Sequence, residues 1–244
     1  HLPLLAGPAL GLGLGLVRRS RRVVALCLGL AFWILLWSGL NLPLGGSSGP
    51  AQATLAVATF NLHELTFGAS AIRNVLEESQ AEVLCLQEWR PDRALEPICP
   101  GGRAGWHVAS CWQMVVLSRH PILSWRAWDL ADLEGLHRPA LVARLDAPAG
   151  PVTVVNLHLP VLFHPRWARF GLARATARVV ASQELRRAHA ETLSGLFASL
   201  EPPVLLVGDF NGSLRDPAVR RIQGQRVDAF QAAGWGFGYT FASF

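Results

Sequence analysis

Two hydrophobic periods divide this chain. Residues 23–44, VVALCLGLAFWILLWSGLNLPL, carry no charge. About 20 such residues in a helix cross roughly 30 Å of hydrocarbon, so the stretch predicts a transmembrane helix. A signal peptide is the rival, but this apolar region exceeds a typical signal core. Residues 2–17 are also apolar, though rich in Gly, which leaves one span or two open. Gly45, Gly46, Ser47, Ser48, Gly49 and Pro50 then have linker composition. The expected organisation is a membrane segment over residues 1–44, a flexible linker over 45–52 and a folded domain over 53–244.

Within that domain the pattern predicts a strand over 54–60 ending at Asn61. A helix over 69–79 follows, with Ile72, Val75 and Leu76 on one face. The next strand, 82–86, ends at Gln87 and Glu88. Residues 106–109 and 113–117 read as paired strands before a turn at 118–121. Residues 140–145 and 152–156 read as two more, the second leading to His158. A long helix over 174–200 runs into the apolar residues 204–207, which Pro202, Pro203 and Gly208 bound. Strands alternating with helices, with hairpins between, imply an α/β fold with mixed sheets.

Charge changes the picture less than its total suggests. The net charge is +5, and all 22 basic residues are arginine. Arg18, Arg19, Arg21 and Arg22 form one cluster, and every acid lies after residue 60. Without the cluster, 18 arginines face 17 acids, so bulk charge says nothing about nucleic acid. Under the positive-inside rule the cluster stays cytoplasmic, and the domain emerges on the extracytoplasmic side of the membrane. Trp33 and Trp37 fit the outer half of the span. Cys99 and Cys111 are available for a disulfide there, and two free thiols fit the sequence equally well.

The candidate chemistry sits at strand ends. Asn61, Glu88, His158, Asp209 and Asn211 each follow an apolar run, where α/β proteins place their sites. Asp209 offers a base or metal ligand, and Asn211 an amide that donates to an anionic oxygen without adding charge. His63 and Glu64 read as loop residues. No His-Glu-x-x-His, Gly-x-Ser-x-Gly or glycine-rich phosphate loop with lysine occurs, which disfavours a zinc protease, a serine hydrolase and a nucleotide-driven motor.

In order, Thr59-Phe60-Asn61-Leu62, Leu86-Gln87-Glu88, Val116-Leu117-Ser118-Arg119, Val155-Asn156-Leu157-His158-Leu159 and Gly208-Asp209-Phe210-Asn211 resemble the motifs of the endonuclease/exonuclease/phosphatase superfamily of metal-dependent phosphoesterases. The likeness is to a membrane-anchored member of bacterial type. It implies a four-layer sandwich of two mixed β-sheets flanked by helices, here preceded by an N-terminal transmembrane segment. It implies a divalent-metal-dependent hydrolase of phosphoester bonds, a phosphodiesterase or phosphatase of nuclease-like kind, acting from a membrane anchor. Glu88 and Asn61 would serve the metal, Mg²⁺ or Mn²⁺, while His158, Asp209 and Asn211 would be catalytic. The substrate would be nucleic acid or a phospholipid head group, with no obligate protein partner. Superfamily members normally carry a later aspartate and a terminal Asp-His pair. This sequence stops at Phe244 before them, and Asp228 comes too early to substitute, so the chain as given is expected to be truncated and inactive. The alternative is a catalytically inactive, membrane-anchored binding domain of the same fold.

Residues 163–187 are the one basic region of the domain. Arg166, Arg169, Arg174, Arg178, Arg186 and Arg187 precede or flank its first acid, Glu184. With Trp167 and Phe170 they read either as a solvated helix face and loop or as a contact for anionic lipid or a phosphate backbone, with Arg174, Arg178 and Arg186 sharing one helical side.

Overall fold

The computed structural model of the chain describes residues 20–37, 41–42, 54–130 and 138–236. Of the described residues, those between 54 and 224 form one compact unit, and 20–37 and 41–42 with 225–236 form another.

Among the described residues of the larger unit, eight strands make two sheets. β1 (Val57–Asn61), β2 (Val83–Gln87), β3 (His107–Cys111) and β4 (Met114–Ser118) form the first, in the order β1-β2-β4-β3. β5 (Ile122–Trp128), β6 (Ala140–Ala147), β7 (Gly150–His158) and β8 (Val204–Asp209) form the second, in that order. β1 runs parallel to β2 and β7 parallel to β8, while the other pairs are antiparallel. Both sheets are therefore mixed, as the sequence pattern implied.

Each parallel pair needs a crossover, and each crossover contains a helix. α2 (Ala69–Glu78) joins β1 to β2, and α3 (Leu172–Ala198) joins β7 to β8. The side-chain period of two then sorts the central strands between layers. Leu84 and Leu86 of β2, with Val115 and Leu117 of β4, pack under Ile72 and Leu76 of α2. Val83, Cys85, Met114 and Val116 point the other way, onto Leu141, Ala143, Leu145, Val152 and Val154 of the second sheet. Val142, Val155 and Leu157 leave that sheet on its far side and pack against Leu193, Leu196 and Phe197 of α3 and Val219 and Ile222 of α4 (Pro217–Gln223). The result is helix, sheet, sheet, helix.

Strand β5 was not legible in the alternation. Its burial runs exposed across its middle, as on an edge strand that covers no second layer, so Ser124, Trp125 and Arg126 give no period of two. All four cysteines are free thiols. Cys99 packs in the cluster under α2 and Cys111 against the cluster between the sheets, on opposite faces of the first sheet. Burial pushes the Cys111 thiol up to about 11.

In the smaller unit, α1 covers Arg21–Trp37, 17 residues. At 1.5 Å per residue it is roughly 25 Å long, below the span expected for residues 23–44. Among the described residues no helix is long and apolar enough to cross a membrane. The expected linker at 45–52 lies outside the described residues. Asn41 Nδ2 donates to the carbonyls of Phe230 and Gly234, both at 2.7 Å, and so caps the end of α5 (Ala229–Ala233). At the other end of α5, Asp228 is the N-cap, accepting from Gln231 N at 2.7 Å.

Gly208, the penultimate residue of β8, lies at φ +136°, where a Cβ would stand 2.0 Å from the Leu157 carbonyl oxygen of the neighbouring strand. Gly150 has φ +111° but open space around it. Gly208→Ala is expected to lower stability by ~2 kcal/mol or more, and Gly150→Ala by less, because only the former adds a clash to the backbone strain. Urea unfolding of the two variants checks the order, and equal losses would remove the close approach as the cause.

Candidate active site

The parallel pairings decide where the polar strand ends go. Asn61 is in register with Gln87, and His158 with Asp209, so each sheet brings two polar ends to one edge. The two edges then meet. Asn61 Nδ2 donates to Glu88 Oε1 at 3.0 Å and to Asp209 Oδ2 at 2.9 Å, linking the first sheet to the second across the rim. Its Oδ1 accepts from His63 N at 2.8 Å, which fixes the amide with its nitrogen toward the carboxylates.

Glu88 stands at φ +56° and Asn211 at φ +44°, both in the left-handed region just past a strand. That turn aims each side chain back over its sheet's edge. Asp209 is held at both oxygens, since Oδ1 accepts from Asn211 N at 2.9 Å. Asn211 Nδ2 donates to the Leu159 carbonyl at 2.8 Å and faces His158 Nε2 at 3.1 Å. A carbonyl accepts only, so the Asn211 amide nitrogen is the donor, and His158 Nε2 receives its second hydrogen. With Nε2 as the acceptor, the arrangement corresponds to the neutral tautomer that carries its proton on Nδ1. Burial lowers its pKa, the charge of Arg138 lowers it further, and Asp209 and Glu88 oppose both. His158 Nε2 stays 3.7 Å from Glu88 Oε1 and 3.8 Å from Asp209 Oδ2. His158 Nδ1 is buried without a partner among the described residues.

All five residues singled out from the sequence, Asn61, Glu88, His158, Asp209 and Asn211, thus lie in one cluster. His63 joins its edge, with Nδ1 3.8 Å from Glu88 Oε2, and Glu64 is exposed. Arg138 was not anticipated. It precedes β6, burial lowers its pKa, and the charges of Glu88 and Asp209 raise it. It adds positive charge beside the two carboxylates, and its Nε has no partner among the described residues. Nothing in the His137-Arg138-Pro139 stretch marks it, because the proximity comes from β6 lying beside β7.

Arg186 corrects the sequence reading. It does not share a phosphate-facing stripe with Arg174 and Arg178, for it is 1% exposed. Its guanidinium holds Asp216 Oδ2 at 2.7 Å, the Phe210 carbonyl at 3.0 Å and the Pro160 carbonyl. Asp216 also caps α4 through Ala218 N at 2.7 Å. One arginine on α3 therefore ties down the loops that follow His158 and Asp209.

The donors fit a hard divalent cation. Two carboxylates converge on one amide, and among the described residues no arginine hydrogen-bonds to either. Among the described residues no three His, Cys, Asp or Glu side chains form a ready cage, so water and substrate oxygens would complete a shell, as Mg²⁺ prefers.

The model of the Endonuclease/Exonuclease/phosphatase family matches residues 58–244. The chain belongs to that family. No curated protein sequence matches the chain. Among solved structures, the β-hairpin deletion mutant of beta toxin from Staphylococcus aureus shares 14% identity over 70% of this chain and 72% of its own, with a TM-score of 0.50. Sphingomyelinase C from Streptomyces griseocarneus shares 18% over 70% and 69%, with a TM-score of 0.49. D. rerio TDP2 complexed with a single strand DNA product shares 17% over 70% and 65%, at 0.48. At these identities the beta toxin likeness speaks for the fold alone, in agreement with the two mixed sheets and flanking helices described above.

Arg186→Met is expected to lower stability by roughly 3 kcal/mol, since it strands the Asp216 carboxylate and two carbonyls without their donor. Thermal unfolding measures it. An unchanged melting temperature would show that the two loops hold without this brace.

Proposed function

We propose that this family member is a divalent-metal-dependent hydrolase of phosphoester bonds. The observation that carries the reading is the Asn61 amide holding Glu88 and Asp209 together where the two sheets meet. Glu88 would bind Mg²⁺ or Mn²⁺, with Asn61 supporting it. When bound, the ion polarises a phosphoryl oxygen and offsets the charge that develops there.

The chain's own residues supply the rest. Asp209, fixed by Asn61 and the Asn211 backbone, orients the attacking water and accepts its proton. Asn211 and His158 contact phosphoryl oxygens as charge grows. For Asn211 this means exchanging its bond to His158 for one to the substrate, which frees Nε2 at the same moment. Arg138 adds a fixed cation beside the carboxylates. Phosphodiester and phosphomonoester substrates both suit this set, and nucleic acid or a phospholipid head group would supply either.

With the full-length protein, EDTA is expected to abolish hydrolysis of bis(p-nitrophenyl) phosphate and Mg²⁺ to restore it. Asp209→Asn should cost about 100-fold or more in kcat. Glu88→Gln should raise the Mg²⁺ needed for half-activity at least about tenfold. Full rate in Asp209→Asn would remove Asp209 from the mechanism, and a folded protein that binds phosphoesters without turnover would be a binding domain instead. Single- and double-stranded DNA, sphingomyelin and phosphoinositides then separate the substrate classes.

Membrane attachment, with the catalytic domain outside the cytoplasm, belongs to the same proposal. Its support is the charge-free stretch 23–44 behind the arginine cluster, and the apolar surface of α1, where Leu26 is 73% exposed and Phe32 and Trp33 each 63%. The full-length protein is expected to stay in the membrane pellet after carbonate extraction. Protease added outside the cell should cut it beyond residue 45. Recovery in the carbonate supernatant would remove the anchor.

A further inference from the structure

We propose that residues 163–178 form a docking surface for an anionic lipid bilayer, beside the candidate active site. The segment comprises a 3-10 turn, Pro165–Phe170, and the first two turns of α3. From 163 to 183 it has four arginines, Arg166, Arg169, Arg174 and Arg178, and no acid, and all four are exposed.

Apolar side chains are interleaved with them. Leu172 is 85% exposed, Phe170 52% and Phe163 50%. They belong to a built surface. The Arg178 guanidinium sits 5.0 Å from the centre of the Phe170 ring, and Phe163 meets Trp167 edge-on with centroids 6.2 Å apart. His164, Arg166, Trp167, Arg169, Phe170 and Arg178 line a shallow depression between turn and helix.

Two further observations choose the partner. First, the C-terminal half of α3 buries Leu185, Ala190, Leu193, Leu196 and Phe197, whereas the half before residue 185 buries only Ala175. The basic half stands away from the core. Second, with Arg186 withdrawn to Asp216, the remaining surface is not a pure cation track. A phosphate backbone in water gains little from a protruding leucine, while a bilayer interface takes up Phe, Trp and Leu beneath a ring of arginines. The patch is also held to the site. Ser182 Oγ donates to the Val161 carbonyl at 2.6 Å, and Arg186 donates to that of Pro160, so docking sets the rim after His158 against the lipid surface.

The experiment places the full chain in vesicles of phosphatidylcholine alone or with 30 mol% phosphatidylglycerol, about 50 mM salt, and reads amide hydrogen exchange at 163–178. Any N-terminal anchor is common to both vesicles and drops out of the difference. Slower exchange is expected in the anionic vesicles only, relieved at about 0.5 M salt as the charges are screened. Arg169→Gln with Arg174→Gln should lower the docked population roughly 25-fold, about fivefold per arginine. Leu172→Ser should lower it further with no change in melting temperature, given its exposure. The unsubstituted chain is already decisive, since exchange at 163–178 that is equal in the two vesicles overturns the proposal. So does protection by a dT20 oligonucleotide without protection by vesicles, which would make the patch a polyanion site. The reading does not depend on turnover and stands or falls separately from the hydrolase.

Discussion

Among the described residues, Gln87 and Asn156 are a polar pair that joins the inner faces of the sheets, and the candidate site rests on their bond. Gln87 belongs to β2 and Asn156 to β7, each at most 1% exposed, with Gln87 Nε2 donating to Asn156 Oδ1 at 2.7 Å. Asn156 Nδ2 donates in turn to the backbone carbonyls of Leu86 and Val115 at 3.0 and 3.1 Å. An amide left unpaired in that layer costs about 1–3 kcal/mol, and one residue of slip would unpair both. Apolar neighbours such as Cys85 and Val154 tolerate sliding, but this pair does not. Glu88 follows Gln87 by one residue and His158 follows Asn156 by two. Pinning the interior therefore pins the rim.

From that fixed point the backbone does the aiming. β2 and β8 would carry their next side chains alternately up and down. The left-handed turns at Glu88 and Asn211 break the alternation and bring carboxylate and amide over the edge. Such conformations cost of order 1 kcal/mol outside glycine and persist where surrounding bonds over-determine them. Here the bonds are visible. Asn61 holds Glu88, Leu159 holds Asn211, and Arg186 holds the Phe210 carbonyl between. The strain sits where the chemistry is proposed.

The inner strands and the five polar strand ends were legible because burial on both faces leaves continuous apolar runs, and each run stops at the residue that reaches the rim. What was not legible depends on distance in sequence. β5 hides because on this edge strand only the end residues, Ile122 and Trp128, pack against the core, so its exposed middle has no pattern to show. Arg138 hides because its partners, Glu88 and Asp209, are brought to it by two separate sheets. Arg186 misleads for the opposite reason. Its spacing from Arg174 and Arg178 is that of an exposed helical stripe, and the fact that decides its role, Asp216, lies 30 residues further on.

The electrostatics of the rim follow from one unequal competition. His158 lies near two carboxylates, whose charges favour its protonated form. Burial and the Arg138 charge outweigh them, and the Asn211 hydrogen at Nε2 agrees. A protonated His158 would also leave that hydrogen facing another hydrogen, so the Asn211 amide would have to release it. The neutral form and the Asn211 bond thus support each other, and each yields when an anion enters. In the proposed mechanism an incoming phosphoryl oxygen would add negative charge beside His158 and offer Asn211 a better acceptor, which would loosen both restraints together. Arg138 would stay in place, so the Asn211 amide is the one resting restraint whose turn toward a bound phosphoester would free Nε2 to take a proton.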